Sequence, residues 1–180
     1  MVDGWDGDED FVINSVTPDR FGVPSNLVGK HDEDFFSILG RIVALAATLE
    51  NKILAFLQYL VGRSQQAHTE LSVGQLIEKA LKNLHRLPPA DREFAEAFLR
   101  EAKAITARRN DYVHNMWPAQ GDGSLFGWRV PQRKAAQASI MTLITMDDMR
   151  DDLGRLVALL EVNRLNRFLG LVAGGQHLES

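Results

Sequence analysis

Apolar side chains recur every three or four residues from Phe35 to Leu60, and this spacing constrains the fold more than any other feature of the chain. Because an α-helix turns once in about 3.6 residues, the pattern predicts one long amphipathic helix over residues 33–62. Acidic residues stand at its start, where the helix dipole favours them, and Gly62 marks its end. A helix with one apolar stripe needs other elements to cover that stripe, so we expect a helical bundle.

Two further helices are predicted in the middle of the chain. Ser72 and Gln75 have the spacing of a capping box, which predicts that a helix starts at Ser72. The run Leu87-Pro88-Pro89 ends this helix, and its last proline opens a third helix. The third helix is expected to run to about His114–Met116, because Pro118 lacks the amide donor that a further turn needs.

The last helix is predicted to begin at Thr145, with Asp148 three residues later as its capping partner. Its expected apolar face comprises Met149, Leu153, Leu156, Val157, Leu160 and Phe168. Before it, Leu125–Val130 and Ser139–Thr145 combine aromatic and β-branched residues, which favours a small hairpin. The predicted fold is therefore all-α, a bundle of about four helices with a short β-hairpin-like insertion before the last helix.

The chain divides into three parts by composition. Residues 1–31 form an acidic arm with no sustained period, residues 32–172 the helical domain and residues 173–180 a C-terminal tail. The net charge is −7 over residues 1–35 and +3 over the remainder, for a total of −4. A mildly basic body permits a polyanionic partner without requiring one.

Composition and motifs exclude several kinds of chemistry. The 180 residues include no cysteine, which excludes disulfides, thiolate metal sites and cysteine nucleophiles. The five histidines lack metal-ligand spacing, and no phosphate-binding loop occurs, so no metal or other cofactor is predicted. Acidic residues pair at i,i+4 early in the last helix, but charge–dipole placement with solvent exposure is the simpler interpretation. These residues are Asp147, Asp148, Asp151 and Asp152.

The location of the protein is predicted from its start and from its apolar runs. The first ten residues are rich in acidic side chains, whereas a secretory signal begins with basic residues and an apolar stretch. The longest apolar runs, Ile42–Leu49 and Ile53–Gly62, are too short to span a bilayer. We therefore expect a cytoplasmic protein with no membrane partner.

One cluster near the end of the third helix indicates chemistry. On a helix, Asn110 and His114 share a face, while Arg109 lies about 140° from His114 around the axis. Arginine offers a permanent, fork-shaped charge for a phosphate, and histidine transfers protons near neutral pH. Asn110 is placed to orient the imidazole or the phosphate. The alternative is a purely structural role, in which the arginines near the helix end complement the helix dipole and His114 forms a hydrogen bond with a terminal carbonyl.

The sequence Arg109-Asn-Asp-Tyr-Val-His114 resembles the R-x4-6-H motif of the HEPN superfamily, helical domains of toxin–antitoxin, CRISPR and abortive-infection systems. A long early helix and a later helix that ends in the motif are similar to the family layout. The resemblance implies Arg109 and His114 as the catalytic pair, with Asn110 as the supporting polar residue. It also implies a homodimer in which two motifs form a composite site that cleaves RNA without metal.

The chemistry that follows from the resemblance is attack of a ribose 2′-hydroxyl on the adjacent phosphate. His114 would transfer protons, and Arg109 would stabilise the charge on the phosphoryl oxygens. Nearby Arg100, Lys103 and Arg108 are predicted to follow the RNA backbone, and Trp117 to stack on a base, although core packing is the commoner role of a tryptophan. The resemblance leaves room for a cognate antitoxin or another protein partner.

Two alternatives stay open beside the endoribonuclease. The first is a catalytically silent HEPN-like module that binds RNA, nucleotides or a protein. The second is a helical interaction protein that binds a partner through its acidic arm or an apolar helix face. Whether the chain is an enzyme is therefore left open by the sequence, with an endoribonuclease as the leading hypothesis.

Overall fold

The computed structural model describes residues 18, 20–23, 31, 33–62, 70–114, 117, 125–129 and 140–162. These residues form four α-helices, one 3-10 turn and one two-stranded sheet. In chain order they are α1 (Glu33–Val61), α2 (Val73–Lys82), the 3-10 turn η1 (Leu84–Arg86), α3 (Pro89–His114), β1 (Leu125–Arg129), β2 (Ile140–Ile144) and α4 (Met146–Leu160). The all-α bundle predicted from the sequence is confirmed.

The long helix α1 is the centre of the bundle, and α2, α3 and α4 all pack against it. Most of its buried residues follow the spacing read from the sequence, namely Phe35, Ile38, Ile42, Leu49, Ile53, Phe56, Leu57 and Leu60, and Gln58 and Tyr59 are buried as well. The helix ends where Gly62 adopts a φ of 64°, a left-handed conformation that glycine adopts without a Cβ clash. The amide of Gly62 donates to the carbonyl of Gln58 at 2.9 Å, which closes the last turn.

The helix starts are set by side-chain caps. Ser72 caps α2 in a reciprocal capping box with Gln75, as predicted. Between α2 and α3, Arg92 donates from Nε to the carbonyl of Leu87 at 2.8 Å and from Nη2 to that of His85 at 2.7 Å. These bonds satisfy carbonyls in the turn between the two helices, so the reversal of the chain there is held by one side chain.

The last helix is capped at both ends. Thr145 and Asp148 form the predicted capping box at its start. At its end, Nζ of Lys52 on α1 donates to the carbonyl of Leu160 at 2.5 Å, which satisfies an otherwise free terminal acceptor. Val157, predicted on the apolar face, is instead 38% exposed, because the helix turns Met149, Leu156 and Leu159 into the core.

Strands β1 and β2 pair antiparallel, with Leu125 opposite Ile144 and Arg129 opposite Ile140. Their positions agree with the predicted insertion before the last helix. Several predicted features lie outside the described residues, namely the stop at Pro118, Phe168 and the tail 173–180. So does the acidic arm, except for Pro18, Arg20–Val23 and His31. Within the described chain, none of the helices combines the length and the apolar character that crossing a membrane requires.

Candidate functional site

Helix α3 carries the candidate residues, and its buried face explains where they lie. The buried side chains of this helix are Ala95, Phe98, Leu99, Ala102, Ile105 and Tyr112. Arg109 comes four residues after Ile105 and three before Tyr112, so it lies on the same inward face. His114 lies about 140° away around the axis and is exposed. The arginine of the motif therefore faces the bundle, whereas the histidine faces outward.

Arg109 is half-buried and incompletely paired. Its Nη1 donates to Oδ1 of Asn110 at 3.1 Å. Its Nε is buried and has no hydrogen-bond partner in the part of the chain that the structure describes. A buried donor without an acceptor costs free energy, about 1–3 kcal/mol for a typical group, so folding alone gives no reason for this position.

Asn110 is the link between the inward and outward parts of the motif. It accepts a hydrogen bond from Arg109 and lies one turn before His114 on the same side of the helix. None of the described residues forms a hydrogen bond or an ion pair with His114. The structure thus brings Arg109 and Asn110 together and leaves the His114 ring accessible, without direct contact between Arg109 and His114 in one copy of the chain.

Asp152 on α4 is buried, and the predicted solvent exposure of all four aspartates early in this helix is wrong for this residue. Only 3% of its side chain is exposed. Its Oδ2 accepts from Nε of Arg108 at 2.8 Å and from the Tyr112 hydroxyl, and its Oδ1 accepts from Nη1 of Arg155 at 2.8 Å. These three bonds compensate for the loss of water around the carboxylate, so burial is tolerated.

The network around Asp152 continues to other charged groups. Arg155 also donates from Nε to Glu101 on α3 at 2.7 Å, and Nη2 of Arg108 lies 3.1 Å from the Tyr112 hydroxyl oxygen. Glu101, Arg108 and Tyr112 all lie on α3, whereas Asp152 and Arg155 lie on α4. Polar contacts therefore join the two helices at the part of α3 that carries the candidate site.

Burial and hydrogen bonding shift the pKa values of Tyr112 and Arg108 in this network. Burial raises the pKa of the Tyr112 hydroxyl well above its usual value, and the hydrogen bond to Asp152 and the negative charge of Asp152 raise it further. Burial lowers the pKa of Arg108, but its hydrogen bond to Asp152 and nearby negative charges outweigh burial, and the net shift is upward. Tyr112 remains a hydrogen-bond donor and Arg108 a cation across the neutral range.

Trp117 is packed against the helix end. Its Nε1 donates to the carbonyl of Tyr112 at 2.9 Å, and its ring lies 5.7 Å from that of Phe35. Its own carbonyl is 2.9 Å from Nε2 of His31, whose ring stacks on Phe35 at 4.3 Å. The contacts of Trp117 are those of a packing residue that is half-buried.

The other basic residues assigned to RNA are engaged with carboxylates. Nη2 of Arg100 is 2.5 Å from Glu96 one turn earlier, and Lys103 pairs with Glu78 on α2. Both pairs are exposed, so each contributes little to stability and exchanges readily for other partners. Arg108, in contrast, is held by the buried Asp152 and has 33% of its side chain exposed.

Sequence reasoning did not single out Arg155 and Glu101, and it interpreted Asp152 as solvent-exposed. A signal for Asp152 was present, because it lies three residues after Met149 and four before Leu156, on the same face as both. Among the described residues, no three histidine or acidic side chains form a group able to hold a metal ion. No protein-family model, curated protein or solved structure matches this chain.

Proposed function

We propose that this chain is a HEPN-like, metal-independent endoribonuclease that acts as a homodimer in the cytoplasm. The observation that carries the proposal is the arrangement of the motif residues. Arg109 is held inward with an unpaired Nε, it donates to Asn110, and His114 is exposed one turn farther along the helix. Arg109 is half-buried and among the described residues its guanidinium bonds only Asn110, so its accessible donors suit a ligand with strong acceptor oxygens.

In the proposed reaction, the 2′-hydroxyl of a ribose attacks the adjacent phosphorus. A histidine takes the hydroxyl proton, the new P–O2′ bond forms and the P–O5′ bond breaks. A second histidine gives a proton to the leaving 5′ oxygen, so the products are a 2′,3′-cyclic phosphate and a 5′-hydroxyl end. Arg109 stabilises the charge that develops on the phosphoryl oxygens.

The need for two proton-transfer groups supports a dimer. The motif in one copy offers only His114, and the base and the acid act on opposite sides of the breaking bond. A two-fold axis would bring the second His114 to the same phosphodiester. The proposed partners are therefore a second copy of the chain and RNA, with a toxin or defence role and a cognate antitoxin as the biological setting.

The test compares wild type with His114→Ala on labelled RNA in the presence of EDTA. His85→Ala is the matched control, because His85 is also exposed and belongs to the turn η1. We expect wild type and His85→Ala to leave 2′,3′-cyclic phosphate ends and His114→Ala to lose ~10²–10⁴ in rate. No cleavage, or equal cleavage by His114→Ala, would reject the proposal. Light scattering on the same preparations measures whether two copies associate.

A second candidate is the catalytically silent HEPN-like module, and the ion pairs favour it. Arg100, Lys103 and Arg108 each have a carboxylate partner, which reduces the positive potential available to a long RNA backbone. Such a module would bind RNA, a nucleotide or a protein without turnover. Binding that weakens steeply with salt, with intact RNA at the end of the incubation, would select this function over the nuclease.

A further inference from the structure

Asp152 receives two bonds from one turn of α3. Nε of Arg108 and the Tyr112 hydroxyl are both hydrogen-bonded to its Oδ2, and the two residues are four positions apart. Arg109 and Asn110 lie between them in the chain. The turn that presents the candidate site is therefore bonded at both of its ends to a single oxygen atom on another helix.

This arrangement fixes the rotation of the turn. A helix end frays because its last carbonyls lack partners, and α3 ends at His114. Two bonds from residues four apart to one acceptor prevent the turn from rotating about the helix axis. The acceptor itself is fixed, because Arg155 donates to Asp152 at 2.8 Å and to Glu101 of α3 at 2.7 Å.

We propose that Asp152 is a positioning residue for the site of Arg109, Asn110 and His114. This inference rests on the proposed function, since it assigns Asp152 a task in that site. A buried ion pair adds little to stability compared with apolar residues of similar size, and in some proteins such pairs serve conformational specificity instead. The network here lies against the turn that carries the site.

A spin label tests the positioning without reference to activity. The chain has no cysteine, so Val113→Cys, exposed and next to His114, gives a single labelling position. Lys82→Cys, exposed at the end of α2, is the reference position. We expect Asp152→Asn to increase the mobility of the spin label at position 113 and to leave the mobility of the label at position 82 unchanged. Asp151→Asn, an exposed neighbour, should change neither.

Tyr112→Phe keeps the inference testable if the Asp152→Asn variant fails to fold. It removes one of the bonds to Asp152 and keeps the packed ring, so it should shift the label at 113 in the same direction by a smaller amount. An unchanged label at 113 in both Asp152→Asn and Tyr112→Phe, or an equal change at 82, would overturn the inference.

The kinetic consequence separates the two proposals. If the wild type cleaves RNA, Asp152→Asn should lower kcat by up to ~10²-fold with little change in KM, as expected when reacting groups are misplaced by about 1 Å. Unchanged kcat in a folded Asp152→Asn variant would overturn the positioning role. Failure of the wild type to cleave RNA would reject the proposed function instead, while the label at 113 still reports whether Asp152 orders the turn.

Discussion

Arg108 places its Nε 2.8 Å from Oδ2 of Asp152 across the interface of α3 and α4. The next residue, Arg109, buries its Nε without a partner. Two adjacent arginines of one helix thus differ in what they contribute. The first completes a network that joins two helices, and the second carries an unsatisfied donor into the bundle.

Replacement of each arginine by methionine should therefore have opposite effects. Arg108→Met removes one of the two cations at Asp152 and should lower the free energy of unfolding by ~1.5–3 kcal/mol, because Arg155 and Tyr112 still donate to the carboxylate. Arg109→Met removes an unpaired donor and should leave stability unchanged or raise it by ~0.5–2 kcal/mol. Urea unfolding of both variants measures the difference, and a large loss of stability in Arg109→Met would contradict it.

Asp152→Ala and Asp151→Ala form a second matched pair on α4. Asp152 is buried with three hydrogen-bonded donors, whereas Asp151 is exposed. We expect Asp152→Ala to lose ~2–4 kcal/mol of stability, because the buried Tyr112 hydroxyl loses its acceptor, and Asp151→Ala to stay within about 0.5 kcal/mol of wild type. Similar denaturation midpoints for the two variants would show that the network contributes no net stability.

The hydroxyl of Tyr112 gives a smaller and cleaner test of the same network. Tyr112→Phe keeps the buried ring but removes the bond to a charged acceptor, which should cost ~1.5–3 kcal/mol. A double-mutant cycle with Asp152→Asn should show that the two changes are not additive, because they share one bond. Additive losses would mean that Tyr112 and Asp152 act independently.

The hydrogen bonds of Asp148 predict a specific dependence of stability on pH. Its hydrogen bonds with Thr145, through the side chain first and the backbone second, lower its pKa below the usual 3.8. A carboxylate with a lowered pKa in the folded state stabilises the fold above its unfolded pKa and loses that contribution as the pH falls through the folded pKa. Asp148→Asn should therefore be less stable than wild type at pH 7, and the difference should shrink below about pH 4. Thermal unfolding across this range checks the trend, and a difference that grows in acid would contradict it.

Lys103 tests the part of the RNA proposal that concerns the backbone of the ligand. If Lys103 leaves Glu78 to contact a phosphate, Lys103→Gln should reduce the slope of log affinity against log salt by about 1. Lys82→Gln, an equal charge change on α2, should leave the slope unchanged. Equal slopes for Lys103→Gln and wild type would remove Lys103 from the RNA-binding surface.

Local patterns predicted the scaffold well. The spacing from Phe35 to Leu60 predicted α1, and both capping boxes, at Ser72 and at Thr145, occur as predicted. Such features depend on residues three or four apart, whose geometry in a helix is fixed in advance. The order of the elements followed from them.

The environment of the candidate site was harder to predict, because it depends on pairs that are distant in the chain. Arg108 and Asp152 are separated by 44 positions, and His31 and Trp117 by 86. An aspartate early in a helix is usually solvated, and the spacing of Asp152 from Met149 and Leu156 indicates its inward position but not the arginines that pair with it. The inward position of Arg109 was available from Ile105 four residues earlier.

The bond between Lys52 and Leu160 joins residues separated by 108 positions, and it has a consequence for synthesis on the ribosome. At about 5–20 residues per second, roughly 5–20 s pass between the synthesis of α1 and that of α4, the helix that covers much of the apolar face of α1. Of the described helices that pack against α1, α2 and α3 are made earlier. The nascent chain therefore exposes part of the apolar face of the 29-residue helix α1 until α4 has been made, a demand for chaperone protection that the folded bundle no longer has.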